Sequence, residues 1–188
     1  MTFLPTFISK SEDQTHQTNP LNEAFSNRII FLCDAIDTHM SISVVSQLLY
    51  LDSIDSTEPI HLYISSPGGS VLDGYSIMDI MEHIQAPVYT YCLGMAASMG
   101  ALIFISGQKR HMLKNSELML HQPLGGVQGQ ATDIVITANR ILATKEKINQ
   151  YIATKSNMSL ETISKEMDRD RWFNAQEAVE VGLADEIL

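Results

Sequence analysis

The stretch that decides the fold runs from residue 88 to residue 105 and reads VYTYCLGMAASMGALIFI. Its first five residues, ending at Cys92, are typical of a buried strand, and Ala101 to Ile105 are typical of a buried helix. The small residues between them predict a sharp turn that places the hydroxyl of Ser98 at the helix start, where free N–H groups favour developing negative charge. This position suits a nucleophile. For this motif taken alone, an N-cap serine beside glycines chosen for tight packing is the favoured alternative.

Strand-like and helix-like segments alternate on both sides of this stretch. Strands are predicted at Arg28–Cys33, Pro59–Ser65 and Glu117–Leu120, and helices at Ser41–Leu51 and from Val71 onward. The alternation predicts an α/β fold with a parallel sheet and crossover helices, whose ligands gather at the carboxyl ends of the strands. Gly68, Ser98 and His121 each follow such an end. The sequence therefore indicates one site built from three segments.

The chain changes character after the strand that ends at Leu120. Gln122–Gln130 is rich in glycine and is predicted to be an extended arm. Ala131–Lys155 has apolar residues at helical spacing and predicts a helix roughly 37 Å long. Its apolar surface favours an oligomer contact, while a helix packed in the core is the ordinary expectation.

The two ends of the chain are also distinct. Residues 1–27 are polar and without periodicity, which predicts a separate and partly mobile N-terminal segment. Residues 28–188 contain no internal repeat and no linker, and so predict a single domain. Towards the C-terminus, a loop is predicted from Asp168 to Phe173 and a last helix from Ala175 to Val181.

The composition excludes several classes of protein. The formal net charge of -10 argues against nucleic acid or an anionic membrane as the main partner. No apolar run reaches membrane-spanning length and residues 1–10 do not resemble a signal peptide, so we expect a cytoplasmic protein. Cys33 and Cys92 lie in apolar stretches, which predicts two buried, reduced thiols. Neither a metal-ligand spacing nor a phosphate-binding loop of the Walker type is present.

A serine nucleophile needs a base, and imidazole is the usual one near neutral pH. His121 alone among the six histidines ends a predicted strand and leads into a glycine-rich turn, although a structural histidine is an open alternative. Asp170 is a candidate for orienting the ring. Because Arg169 and Arg171 flank it, the residues alone favour a solvated charge cluster at this point.

Four motifs together resemble the Clp protease family. They occur in the family's order and read SSPGG at 65–69, GMAASMGA at 94–101, MLHQPLGG at 119–126 and DRDRW at 168–172. The resemblance extends from about Arg28 to Leu188. It implies a ClpP/crotonase-like fold, in which repeated β/α units form a head and the strand-plus-long-helix segment, about residues 122–155, forms a handle.

The resemblance also implies a serine endopeptidase that works through an acyl-enzyme. Ser98 matches the nucleophile, His121 the general base and Asp170 the orienting acid. Gly69 and Met99 match the backbone donors of the oxyanion hole. No cofactor is implied for this chain, because ATP is used by a partner unfoldase.

Partners and surfaces follow from the same resemblance. It implies two stacked heptameric rings, homomeric or mixed with a second ClpP, that receive unfolded proteins from a hexameric Clp ATPase of the ClpX, ClpA or ClpC type. The implied surfaces are a substrate-binding arm at Gln122, Pro123, Leu124, Gly125 and Gly126, oligomer contacts at Ile134, Ile141, Ile148, Asp168 and Arg169, unfoldase docking at Tyr63, Tyr91 and Leu93, and an axial-pore segment at residues 1–27.

The sequence departs from the family pattern in places. The N-terminal segment lacks the family's basic loop, and His61 stands where an aromatic residue is common. These departures favour a divergent paralogue. Two alternatives stay open, namely a weakly active structural subunit of a mixed barrel and a crotonase-fold enzyme acting on an acyl-CoA.

Overall fold

The computed structural model of the chain describes residues 5–10 and 15–188. The strands are β1 Phe7–Lys10, β2 Thr15–Thr18, β3 Ile29–Cys33, β4 Ile60–Ser66, β5 Val88–Ala97, β6 Lys109–Met112, β7 Glu117–Leu120, β8 Arg171–Asn174 and β9 Glu186–Ile187. The helices are α1 Pro20–Ser26, α2 Thr38–Ile54, α3 Val71–His83, α4 Met99–Ile105, α5 Ala131–Lys155, α6 Leu160–Glu166 and α7 Ala175–Glu180.

Strand β5 organises the main sheet because it pairs with three other strands. Along one side it runs parallel to β4, and along the other its first half pairs with β6 and its second half with β7. The main path of the sheet is β3-β4-β5-β6-β9, and β7 leaves this path to pair with β8 in the antiparallel sense. The predicted α/β fold with a largely parallel sheet is confirmed.

The core lies where the helices cover one face of this sheet. Strand β4 alternates strictly, with Ile60, Leu62 and Ile64 fully buried and the residues between Ile60 and Ile64 half-buried on the other face. All seven residues of α4 are buried, since this helix lies beneath α3 and α5. Each large apolar side chain withdrawn from water contributes about 1.5–3 kcal/mol. The core therefore stabilises most strongly the strand–helix unit β5–α4.

The opposite face of the sheet carries an aromatic row formed by Phe31, Tyr63, Tyr91 and His111. The register pairs these residues across β3, β4, β5 and β6. The Tyr63 and Tyr91 rings stack with centroids 4.4 Å apart, and the Tyr91 and His111 rings stack at 4.7 Å. His111 belongs to the short strand β6.

The N-terminal segment contains regular structure that the sequence did not predict. Strands β1 and β2 pair antiparallel, with Phe7 opposite Thr18. Helix α1 follows, with the Asn19 side chain accepting from the Leu21 and Asn22 N–H groups and Pro20 in its first turn. These two strands read FISK and THQT and have neither an apolar run nor an apolar alternation, so periodicity does not reveal them. The rest of the predicted mobile segment, residues 1–4 and 11–14, lies outside the described residues.

Three local predictions need correction. Strand β5 continues to Ala97, five residues past its predicted end, because its second half gains β7 as a partner. The predicted loop at 168–173 contains the start of β8, which pairs with β7 and buries Phe173 in the core. Cys33 is exposed rather than buried, since it lies at the end of β3 with its side chain away from the core, whereas burial raises the pKa of Cys92 to about 11.

Helix α5 has the predicted bounds, but its apolar residues divide between two environments. Ile148 and Ile152 are buried in the chain's own core. The exposed fraction is 39% for Ile134, 58% for Val135 and 62% for Leu142. The assignment of Ile148 to an exposed oligomer contact is therefore wrong, because the C-terminal part of the helix packs on α4 and α6. No helix in the described part of the chain is long and apolar enough to cross a membrane.

Replacing Ile148 with aspartate is expected to destabilise the folded chain by more than about 3 kcal/mol, because a buried apolar side chain is lost and a carboxylate takes its place. Ile42 is 62% exposed on α2, so Ile42→Asp is the matched control and is expected to change the free energy of unfolding by less than about 0.5 kcal/mol. Urea unfolding followed by circular dichroism measures both. Equal destabilisation by the two changes would contradict the placement of Ile148 in the core.

Candidate active site

Ser98 occupies a strained turn between β5 and α4. Its backbone has φ 54° and ψ -120°, a conformation that costs a non-glycine residue about 1–3 kcal/mol. The Ser98 N–H donates to the Met119 carbonyl at 2.7 Å, which ties the turn to β7. Although Ser98 stands at the N-cap position of α4, its side chain accepts no hydrogen bond from the helix. The N-cap interpretation of this serine is therefore wrong.

The Ser98 hydroxyl is instead hydrogen-bonded to His121. The distance from Ser98 Oγ to His121 Nε2 is 2.8 Å. The parallel pairing of Ala97 with Met119 explains this contact, because it brings the carboxyl ends of β5 and β7 to the same edge of the sheet. The structure thus brings together two side chains that the sequence placed after separate strands.

Asp170 completes a chain of hydrogen-bonded groups. Its Oδ1 lies 3.1 Å from Nδ1 of His121. In the antiparallel pair β7–β8, Leu120 stands opposite Arg171, so the next positions along each strand are His121 and Asp170. Sequence reasoning missed this pairing because β8 was predicted to be a loop. Asp170 was a candidate for orienting the ring, but the residues alone favoured a charge cluster, and the family resemblance decided for the triad.

The charge cluster favoured by the residues alone is not what the structure shows at Asp170. The Arg171 guanidinium donates to Glu166 Oε2 at 3.3 Å and to the Trp172 carbonyl at 2.7 Å. It also lies 4.5 Å from the centre of the Phe173 ring. Arg171 is thus directed to these partners and leaves the Asp170 carboxylate with His121.

The loop after β4 approaches Ser98 closely because it contains two glycines. A Cβ atom built on Gly68 would lie 2.7 Å from the Ser98 Cβ and 3.0 Å from the Met99 nitrogen. Gly69 is bridged to Ile36 by the Gly68 carbonyl and the Ser70 N–H, so the Gly69 N–H takes no part in that bridge. Met99 begins α4, where the N–H has no partner within the helix. The Met99 N–H thus lies directly after Ser98, and the Gly69 N–H lies one residue beyond the close approach at Gly68; neither has a role in regular structure.

The segment after His121 borders an apolar cleft of about 380 Å³. Pro123, Leu124, Gly125 and Gly126 line one side of this cleft, and the first turn of α3 and the middle of α5 line the other. Leu124 is 84% exposed. Pro123 is two residues after His121 and Val71 is two residues after Gly69, so two segments of the site continue directly into the lining of the cleft.

The other residues singled out in the sequence lie away from Ser98. Tyr63, Tyr91 and Leu93 are on β4 and β5, within or beside the aromatic row. His61 Nδ1 is 2.8 Å from the Tyr91 hydroxyl, and burial lowers the pKa of His61, with the positive charges of His111 and Arg28 adding to the effect. These side chains form a separate surface.

Among residues 5–10 and 15–188, no group of three or more histidine, cysteine, aspartate or glutamate side chains is arranged to hold a metal ion.

A hydroxyl on a strained turn, hydrogen-bonded to an imidazole that a carboxylate orients, is the arrangement of a serine hydrolase. A model of the Clp protease family matches residues 11–188, and the chain belongs to that family. The match supports a peptidase of the ClpP type, and the mixed α/β architecture with its parallel sheet agrees with it.

Gly68→Ala is expected to lower the rate at which a fluorophosphonate labels Ser98 by about a hundredfold or more, because the new methyl group displaces the reacting side chain. The backbone adds strain, since Gly68 has φ +92°. Gly94→Ala is the matched control, because Gly94 also has a positive φ, +66°, but a Cβ atom there meets nothing within 4 Å. Mass spectrometry of the labelled peptide measures both rates. Labelling of Gly68→Ala at the wild-type rate would show that the close approach is unimportant.

Proposed function

We propose that this chain is a proteolytic subunit that hydrolyses unfolded proteins and peptides through Ser98, His121 and Asp170. The observation that carries the proposal is the 2.8 Å contact between Ser98 Oγ and His121 Nε2 at a strained turn. A hydroxyl held this way is poised to lose its proton as it attacks. The same contact favours an active enzyme over a purely structural subunit. It also disfavours an acyl-CoA enzyme, which would need a carboxylate as its acid and base.

The mechanism follows from the order of the groups. Ser98 Oγ attacks the peptide carbonyl while His121 Nε2 accepts the hydroxyl proton. The Nδ1–H of His121 stays hydrogen-bonded to the Asp170 carboxylate, which orients the ring and stabilises the imidazolium that forms. The N–H groups of Gly69 and Met99 donate to the oxyanion of the tetrahedral intermediate. His121 then protonates the leaving amine, which breaks the C–N bond and leaves an acyl-enzyme. Water, deprotonated by His121, hydrolyses the ester and restores Ser98.

The arm at 122–126 is the proposed binding place of the substrate backbone. It follows His121 without regular structure of its own and borders the apolar cleft, so an extended peptide laid along it reaches Ser98. Leu124 offers an exposed apolar contact. A cleft of this kind discriminates little between sequences, and access to the site then has to provide the selectivity.

Assembly into rings is the proposed source of that restricted access. Members of the Clp protease family generally form stacked rings and work with Clp ATPases. Here Ile134, Val135 and Leu142 leave an apolar face uncovered on α5. We assign this face, with Ile141, Asp168 and Arg169, to contacts within two stacked heptameric rings, homomeric or shared with a second ClpP.

Docking of a hexameric Clp ATPase is proposed at the aromatic row. The half-buried Tyr63 ring stacks on the Tyr91 ring, which is 9% exposed, and the half-buried Leu93 lies two residues further along β5. Stacked aromatic rings bury a large area at little entropic cost, which suits a surface that takes up a partner's apolar side chain. ATP is consumed by that partner, and the proposal gives this chain no cofactor.

Ser98→Ala is expected to lower the hydrolysis of a short fluorogenic peptide by at least about a thousandfold, because the nucleophile is lost while the packing is nearly unchanged. Ser46, exposed on α2, provides the matched control Ser46→Ala. Peptide hydrolysis is measured together with fluorophosphonate labelling of each variant. Residual activity close to wild type, or labelling at another residue, would refute the assignment of Ser98.

The double change Val135→Asp and Leu142→Asp is expected to separate the assembly into smaller species, because it puts two carboxylates on the apolar face of α5. Both side chains are exposed in the chain, so the fold itself should persist. Light scattering measures the mass, and circular dichroism checks the helix content. Thr137→Asp serves as the control, because Thr137 lies two residues after Val135 and therefore on a different face of the same helix. An unchanged mass in the double variant would exclude this face from the assembly.

A further inference from the structure

A second set of polar contacts lies beside the hydrogen-bonded triad and has no part in the mechanism above. The Lys145 ammonium donates to Gln122 Oε1 at 2.9 Å and lies 3.5 Å from Asp168 Oδ1. Gln122 Nε2 donates to the Asp168 carbonyl at 2.9 Å and to its Oδ1 at 3.2 Å. We call these three side chains the brace.

The brace connects the two segments that carry the histidine and the aspartate. Gln122 directly follows His121, and Asp168 comes two residues before Asp170. The Gln122 N–H also donates to the Met167 carbonyl at 2.7 Å, so backbone and side chain hold the same two segments together. The separation of His121 from Asp170 therefore depends on contacts just outside the triad.

Asp170 in particular depends on such contacts. Its side chain is 62% exposed, and its recorded side-chain partner is His121. One residue, Arg169, lies between the brace and Asp170 on one segment, whereas His121 is directly adjacent to the brace on the other. A change in the brace consequently shifts the carboxylate relative to the ring.

Lys145 contributes the charge that closes the brace from a third element. It lies on α5, whose N-terminal part forms the uncovered apolar face, and its side chain is 27% exposed. An ion pair this accessible to water adds little to global stability. Its effect should therefore appear in local geometry, where a displacement of about 1 Å can cost a hundredfold in rate.

We propose that Lys145 is a positioning residue, which acts through Gln122 and Asp168 to hold His121 and Asp170 at their working distance. This inference rests on the proposed function of Ser98, His121 and Asp170. It assigns to the long helix a direct polar contact with the catalytic segments, in addition to the apolar face that it offers to other subunits.

The test compares Lys145→Met with Lys147→Met in the full-length protein. Lys147 is on the same helix, but its ammonium lies 4.3 Å from the centre of the Tyr75 ring and is outside the brace. Lys145→Met is expected to lower the labelling rate of Ser98 and the kcat for a short peptide by about tenfold, with KM nearly unchanged. Lys147→Met should leave both rates at the wild-type level.

Two further variants separate positioning from a general structural role. Lys145→Arg keeps a donor cation and is expected to recover the labelling rate to within about threefold of wild type. Asp168→Asn combined with Lys145→Met should lose no more than Lys145→Met alone, because both changes open the same brace. In Lys145→Met and Lys145→Arg, which leave the proposed ring contact Asp168 intact, the melting temperature should shift by less than about 3 °C and the mass by light scattering should not change.

The outcomes are distinguishable. The brace would be overturned by a wild-type labelling rate in Lys145→Met or by an equal loss of the labelling rate in Lys147→Met. It would also be overturned if the labelling rate falls in step with dissociation or melting. If Lys145→Met does not fold, the labelling rate of Asp168→Asn is compared with that of Lys145→Arg instead. A lower rate in Asp168→Asn supports the brace, and equal rates overturn it. Wild-type protein that fluorophosphonate does not label at Ser98 would instead overturn the proposed function.

Discussion

The architecture depends on the way β5 exchanges its partner strand. Its first half pairs with β6 and its second half with β7, while β4 runs along the other side. The exchange carries β7 to the edge where β5 ends, and the hydrogen bond from the Ser98 N–H to the Met119 carbonyl locks the two strands together at that point. Without the exchange, Ser98 and His121 would end strands that do not touch.

The site is formed by two strand pairings, one parallel and one antiparallel. The parallel pair β5–β7 brings Ser98 to His121, and the antiparallel pair β7–β8 brings His121 to Asp170. The core beneath is almost wholly apolar, since α4 is buried along its whole length. Backbone pairing sets the positions of the reacting groups, and burial makes those positions rigid.

The sequence predicted those parts of the molecule that carry a strong local signal. The long strands and helices, the bounds of α5, and the convergence of Gly68, Ser98 and His121 all follow from apolar periodicity and strand ends. Strand β8 and the place of Asp170 could not be predicted this way, because their geometry comes only from a partner 49 residues away. Ile148 shows the same limit, since spacing reveals an apolar face but not whether a core or a neighbouring subunit covers it.

The backbone at Ser98 also restricts which residue can serve at this position. At φ 54° a side chain branched at Cβ is strongly disfavoured, because its second substituent crowds the neighbouring backbone. Threonine carries a hydroxyl of the same kind, but its extra methyl group needs room beside the Cβ at position 98, where one carbon atom added to Gly68 would already lie 2.7 Å from the Ser98 Cβ. The choice of serine over threonine thus reflects the shape of the turn as much as the chemistry of the hydroxyl group.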